Sequence, residues 1–174
     1  MTQAALVFKK PAESGDVVAD RILDFISINE SRGDYNSRFK DPGLVLRADL
    51  SSYTFGELLD ALKAARVAGT KSTAVGKYQF IYKTLLALTK KLSILPAVRF
   101  TPEMQDALAF ELLRQRGYES WMVGQVSDER FALNLAKEWA SLPDPKTGRS
   151  VYAGDGLNKS HVTPEQVYAI LRGT

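Results

Sequence analysis

Glu30 stands where an apolar helical stripe, Val18, Ile22, Phe25 and Ile26, runs out into the polar stretch Ser31-Arg32-Gly33-Asp34-Tyr35-Asn36. Helical geometry projects its carboxyl from the face that carries Ile22 and Ile26 into the core. Desolvation disfavours the charged form of an acid, so a carboxyl in that position keeps its proton toward neutral pH and can donate it. That is general-acid chemistry, and glycosidic bonds are its commonest target. The same spacing also fits an acid at a frayed helix end that simply points to water, as most charged side chains do.

A second segment with chemical content is Gly76-Lys77-Tyr78-Gln79-Phe80, which follows the loop Gly69-Thr70-Lys71-Ser72-Thr73. An exposed Tyr78-Gln79 pair beside a glycine would offer a flat apolar face with amide hydrogen-bonding groups, suited to sugar rings bearing acetamido substituents. Equally, Tyr78 and Phe80 fit as core plugs at a helix start.

The elements that must position these residues read as helices. The spacing predicts a first helix over Asp16 to Glu30, stopping near Gly33. Thr54 and Glu57 form a capping-box pattern for a second, with Leu58, Leu62 and Ala65 at helical spacing before Gly69. Ile81, Leu85, Leu88 and Leu92 share a stripe in a third. Thr101-Pro102-Glu103 starts a fourth that runs to about Arg116 before Gly117. Ser127 or Asp128 opens a fifth, in which Phe131, Leu135, Trp139 and Leu142 fall on one side until Pro143. Thr163-Pro164, with Gln166 in capping-box position, opens a last short helix ending at Gly173. Between the first two, Asp41-Pro42-Gly43 and Leu44-Val45-Leu46 suggest a short hairpin within residues 39–53. The stretch from Pro143 to Ser160 is long for a structureless connection, and such loops are often functional.

Composition closes off several chemistries. The 174 residues, 45% hydrophobic and 25% charged, are expected to form one domain over 1–174, with 1–13 a loosely ordered N-terminal segment. No apolar run reaches membrane-spanning length, and Lys9-Lys10 follows the first short apolar stretch, reversing the order of a secretory signal. With no cysteine there is no disulfide, thiolate metal site or cysteine nucleophile. His161 is the single histidine, which removes histidine-cluster metal sites and disfavours a serine-histidine-aspartate triad; before Thr163-Pro164 it reads as a loop or cap residue. Neither a metal nor a cofactor is expected. The net charge of +3 is scattered along the sequence, so nucleic acid binding is not compelled, and a mildly positive surface suits the acidic polymers of a bacterial envelope.

Taken together, Glu30-Ser31, Gly76-Lys77-Tyr78-Gln79, Gln105-Asp106-Ala107-Leu108-Ala109 with Arg116-Gly117, and Trp139-Ala140-Ser141-Leu142-Pro143 resemble, in order and spacing, the phage lambda endolysin family of peptidoglycan-cleaving enzymes. The segment from Gly148 to Lys159 is similar to one found in phage muramidases of this type. The resemblance implies an α+β, predominantly helical, lysozyme-like fold with a small β-hairpin element beside a substrate cleft. It assigns Glu30 as the acid that protonates the oxygen between N-acetylmuramic acid and N-acetylglucosamine, with Ser31, Tyr78, Gln79 and Tyr152 as substrate-binding residues. The implied partner is the glycan strand of bacterial peptidoglycan, met by a monomer made without a signal peptide and acting on the wall after release or within a virion.

Two mechanisms compete under that resemblance. A hydrolase needs a second carboxylate about 5–10 Å from the acid, whereas enzymes of the lambda type are lytic transglycosylases, in which the muramic acid 6-hydroxyl attacks and one glutamate both gives and takes the proton. Asp34, Asp41, Asp155 and Glu111 are candidates for a second carboxylate, none compelling, and Glu103 and Asp106 read as first-turn helix acids. The one-acid reading is preferred. A two-carboxylate muramidase and an inactive wall-binding or structural phage module remain the alternatives. Lys77 replaces the arginine of the lambda motif, the stretch from Glu30 to Gly76 differs in composition, and the loop after Pro143 is longer.

Overall fold

The computed structural model describes residues 16–174, so the expected loose segment at 1–13 lies outside the described residues. Among them the chain forms seven α-helices: α1 (Val17–Ser31), α2 (Phe55–Val67), α3 (Tyr82–Lys91), α4 (Pro102–Gln115), α5 (Tyr118–Met122), α6 (Asp128–Ala136) and α7 (Pro164–Arg172), with 3-10 turns at Leu50–Ser52 and Ala153–Asp155. No described helix is long and apolar enough to cross a membrane.

The starts follow the capping chemistry. The Asp16 carboxylate accepts from the Ala19 amide at 2.9 Å, and complete capping boxes close the starts of α2 (Thr54 with Glu57) and α7 (Thr163 with Gln166). α1 is the central helix: Ala19, Ile22, Leu23 and Ile26 are buried, and it packs against both α4 and α7. Arg21 reaches the end of α7, donating to the Ile170 and Leu171 carbonyls at 2.8 and 3.2 Å. The core continues through Phe55, Phe100 and Phe80 in edge-on ring contacts, and through Trp121 stacked on Phe131 at 4.8 Å between centroids.

Two sequence expectations are corrected. The hairpin within 39–53 is not formed; among the described residues there are no strands, only isolated bridges, so the α+β expectation gives way to an all-helical architecture. Instead, the Arg38 guanidinium donates to the carbonyls of Leu46, Arg47 and Ala48 at 2.8–2.9 Å, satisfying groups that a partner strand would otherwise engage. Leu44, Leu50 and Tyr53 anchor this loop in the core, while Val45 is 82% exposed. Two of the bridges, Arg38 with Val75 and Val75 with Phe80, lie beside the site described below.

The helix predicted to run from Ser127 to Pro143 ends at Ala136. Trp139 and Leu142 are buried as expected, yet they reach the core from turns. Periodicity matched because two successive tight turns return side chains to the same side as a helix would. Leaving the helix early frees residues 137–141 to face α1.

Candidate active site

α1 carries Glu30 one residue before its end, half-buried as its spacing predicts. Its Oε1 accepts two hydrogen bonds from one residue, at 2.6 Å from the Ser141 hydroxyl and 3.2 Å from the Ser141 amide. Burial raises the carboxyl above its ordinary value, and this outweighs the opposing effect of the Ser141 bonds and of the His161 charge. Ser141 is itself clamped, since its carbonyl accepts from the His161 amide at 2.9 Å. The His161 ring Nδ1 donates to the Asn29 carbonyl at 3.2 Å, closing a loop of contacts around the acid.

Behind the end of α1 lies the turn at 76–80. Gly76 has φ +78°, and a Cβ there would overlap Gln105 Oε1. That oxygen accepts from the Lys77 amide at 2.9 Å, and the Gln105 Nε2 donates to the Tyr35 carbonyl at 3.2 Å. Asp106 is the polar hub: it accepts from the hydroxyls of Tyr35 and Tyr78, each at 2.8 Å, and pairs with Lys77 Nζ at 3.4 Å. Burial first, and the Asp106 carboxylate second, raise both phenols well above their usual range. Ser31 Oγ donates to the Lys77 carbonyl at 2.7 Å, tying α1 to this turn.

Glu30 opens onto a cleft of about 840 Å³. Asn29 and Glu30, residues 70–74, residues 78–84, residues 137–141 and the loop bearing Tyr152 and His161 line it. Gln79 stands on this lining with its amide Nε2 on the Gly76 carbonyl at 2.9 Å. Tyr152 is 41% exposed there, its hydroxyl donating to the Lys137 carbonyl at 2.6 Å. Of the two readings open for Tyr78, the core plug is the one observed: it is 3% exposed, its phenol donating to Asp106, although it borders the cleft. Ser31 likewise spends its hydroxyl on the backbone and is absent from the cleft lining.

Besides Glu30, the carboxylates lining the cleft are Glu138 and Asp155. Glu138 is bound by both Nε and Nη2 of Arg116. Asp155 accepts from the Leu157 and Asn158 amides at 2.8 and 2.9 Å, bonds that hold it below the usual carboxylate range. Asp34 and Asp41 close local turns, and Glu111 pairs with Lys91 at 2.9 Å; none lines the cleft.

Sequence reasoning missed Ser141, Glu138 and the hub role of Asp106. Ser141 was hidden by extending the fifth helix through Trp139. Asp106 was explained as a first-turn acid, although Pro102 at the first helical position places it in the second turn, where the dipole argument weakens.

The described residues thus form an all-helical protein with one half-buried carboxyl at the edge of an open cleft. The Endolysin family profile matches residues 22–164, and the chain belongs to that family. It is similar to the endolysin of Escherichia phage P2, with 39% identity over 90 residues that make up 51% of this chain and 52% of the relative. The chain thus spans about half the length of that curated relative. No solved structure matches it.

Proposed function

We propose that the protein is a single-domain, lysozyme-like enzyme that cleaves bacterial peptidoglycan between N-acetylmuramic acid and N-acetylglucosamine, as a lytic transglycosylase with Glu30 as its acid and base. One observation carries the reading. Among the carboxylates lining the cleft, Glu30 is the one desolvated at a helix end with only Ser141 as its bonded partner, while Glu138 and Asp155 are committed to Arg116 and to loop amides. Membership of the endolysin family supports the substrate.

Ser141 occupies Oε1, so the proton to be donated sits on Oε2. Transfer of that proton to the bridging oxygen lets the C1–O bond break and the N-acetylglucosamine leave as an alcohol. The muramic acid 6-hydroxyl then attacks C1, forming the 1,6-anhydro bond, and its proton passes to the Glu30 carboxylate, which restores the acid. The two Ser141 bonds stabilise the carboxylate while it is charged between these steps. Gln79 and Tyr152 contact the sugars, the buried Tyr78 forms part of the cleft wall, and Ser31 supports the site from behind.

The test is a zymogram of wild type beside Glu30→Gln, followed by mass spectrometry of the released muropeptides. Clearing by wild type only, with fragments one water lighter than reducing-end products, is the expected result. Clearing that survives the substitution removes Glu30 from the chemistry. Fragments with reducing ends would make the enzyme a hydrolase, and no clearing by either would leave a wall-binding module.

A further inference from the structure

The cleft lining carries an excess of basic over acidic side chains. Its lining holds Arg66, Lys71, Lys83, Arg116, Lys137 and Lys159 against three carboxylates. Among the described residues, fifteen basic and sixteen acidic side chains lie elsewhere. Some of the six are already engaged: Arg116 with Glu138, Arg66 over the Tyr82 ring at 5.1 Å, and Lys71 beside Asp41. Lys83, Lys137 and Lys159 are exposed and enter no ion pair among the described residues. They come from three separate stretches of chain that meet at one cleft.

Stability does not account for Lys83. It occupies the first turn of α3, where the positive end of the helix disfavours a cation, and the N-cap residue Ile81 has no side-chain acceptor to offset it. Its exposed charge is free to act on groups outside the chain.

We propose that the cleft reads free carboxylates on the peptide stems of the wall polymer, so that strands bearing them are bound and cleaved in preference to strands whose carboxylates are amidated. This rests on the peptidoglycan reading above. The N-acetylated sugar backbone is uncharged, so the basic lining addresses what hangs from it. Stems attached to muramic acid pass within a screening length of the cleft, about 8–10 Å at moderate salt. Exposed pairs of this kind are weak singly, about two- to threefold each, and three together amount to about tenfold.

The experiment compares wild type with the triple variant Lys83→Gln/Lys137→Gln/Lys159→Gln. Each is given matched sacculi, untreated or amidated with ammonia and carbodiimide, at low and high sodium chloride. Wild type is expected to favour untreated sacculi about tenfold in kcat/KM at low salt and to lose the preference at high salt. The triple variant should cleave both alike. Equal cleavage of the two sacculi by wild type, or a preference that survives in the triple variant, overturns the proposal. Sedimentation of Glu30→Gln protein with the same sacculi separates this from the activity itself: if neither sacculus is cleaved by wild type the peptidoglycan enzyme reading fails, while equal binding to both overturns the charge reading.

Discussion

Asp106→Ala removes the acceptor shared by two phenols and the closest counterion of Lys77. The site is enclosed, since the side chains of Asp106 and Lys77 are each 13% exposed. Leaving a buried hydroxyl without its partner costs about 1–3 kcal/mol, and breaking a buried ion pair by deleting one member costs about 3–5 kcal/mol. Part of that is offset here. Lys77 keeps Asp24 at 3.8 Å and lies 4.9 and 5.2 Å from the Tyr35 and Tyr78 ring centroids. A net loss of about 3 kcal/mol lowers Tm by about 6–12 °C for a chain of this size. Thermal unfolding followed by far-UV circular dichroism measures it. Asp106→Asn should lose less, because its amide oxygen still accepts from one phenol, and adding Lys77→Met to Asp106→Ala should recover part of the loss by removing the orphaned cation. A Tm for Asp106→Ala within about 1 °C of wild type would refute the hub assignment.

Three further outcomes are expected. Ser141→Ala deletes the hydroxyl bond to Glu30 that favours the carboxylate, so the alkaline limb of the kcat/KM profile should move to higher pH and kcat should fall about tenfold, the worth of one charge-assisted bond; a limb that stays put or moves down contradicts this. Because burial raises Glu30, the native state holds that proton more tightly than the unfolded chain, and the associated stability is complete at acid pH and lost as pH rises through the folded value. Glu30→Gln should therefore raise Tm by a few degrees (~2–4 °C) at pH 7 and leave it unchanged near pH 4, and a lower Tm at pH 7 would count against burial. Burial, with Asp106 for Tyr35 and Tyr78 and with Asp16 for Tyr118, also keeps these phenols protonated above their usual range. Stability should be complete below about pH 10 and decline above it, as unfolded tyrosines ionise first; all seven tyrosines titrating together before unfolding would disprove it.

Much of the helical frame was legible in the sequence because it is written in local chemistry: Thr54 with Glu57 and Thr163 with Gln166 each mark a helix start within a few residues. Glu30 was legible for the same reason, since Ile22 and Ile26 fix the face it shares. What failed was non-local. Nothing near residue 46 announces that Arg38 will take its carbonyls, nothing near Tyr78 announces Asp106, and Ser141 meets Glu30 across 111 residues of chain. α5, five residues long after Gly117, is too short to leave a periodic trace.

The grip of Arg38 on residues 46–48 has an evolutionary corollary. A guanidinium that holds main-chain oxygens is indifferent to the side chains beside them, so Val45 and Ala48, both exposed, are free to drift while the path is kept, whereas Leu46 packs on the core and Arg47 pairs with Glu57. Relatives should vary there without penalty wherever the arginine persists, and a library randomised at Val45 and Ala48 should return mostly folded members.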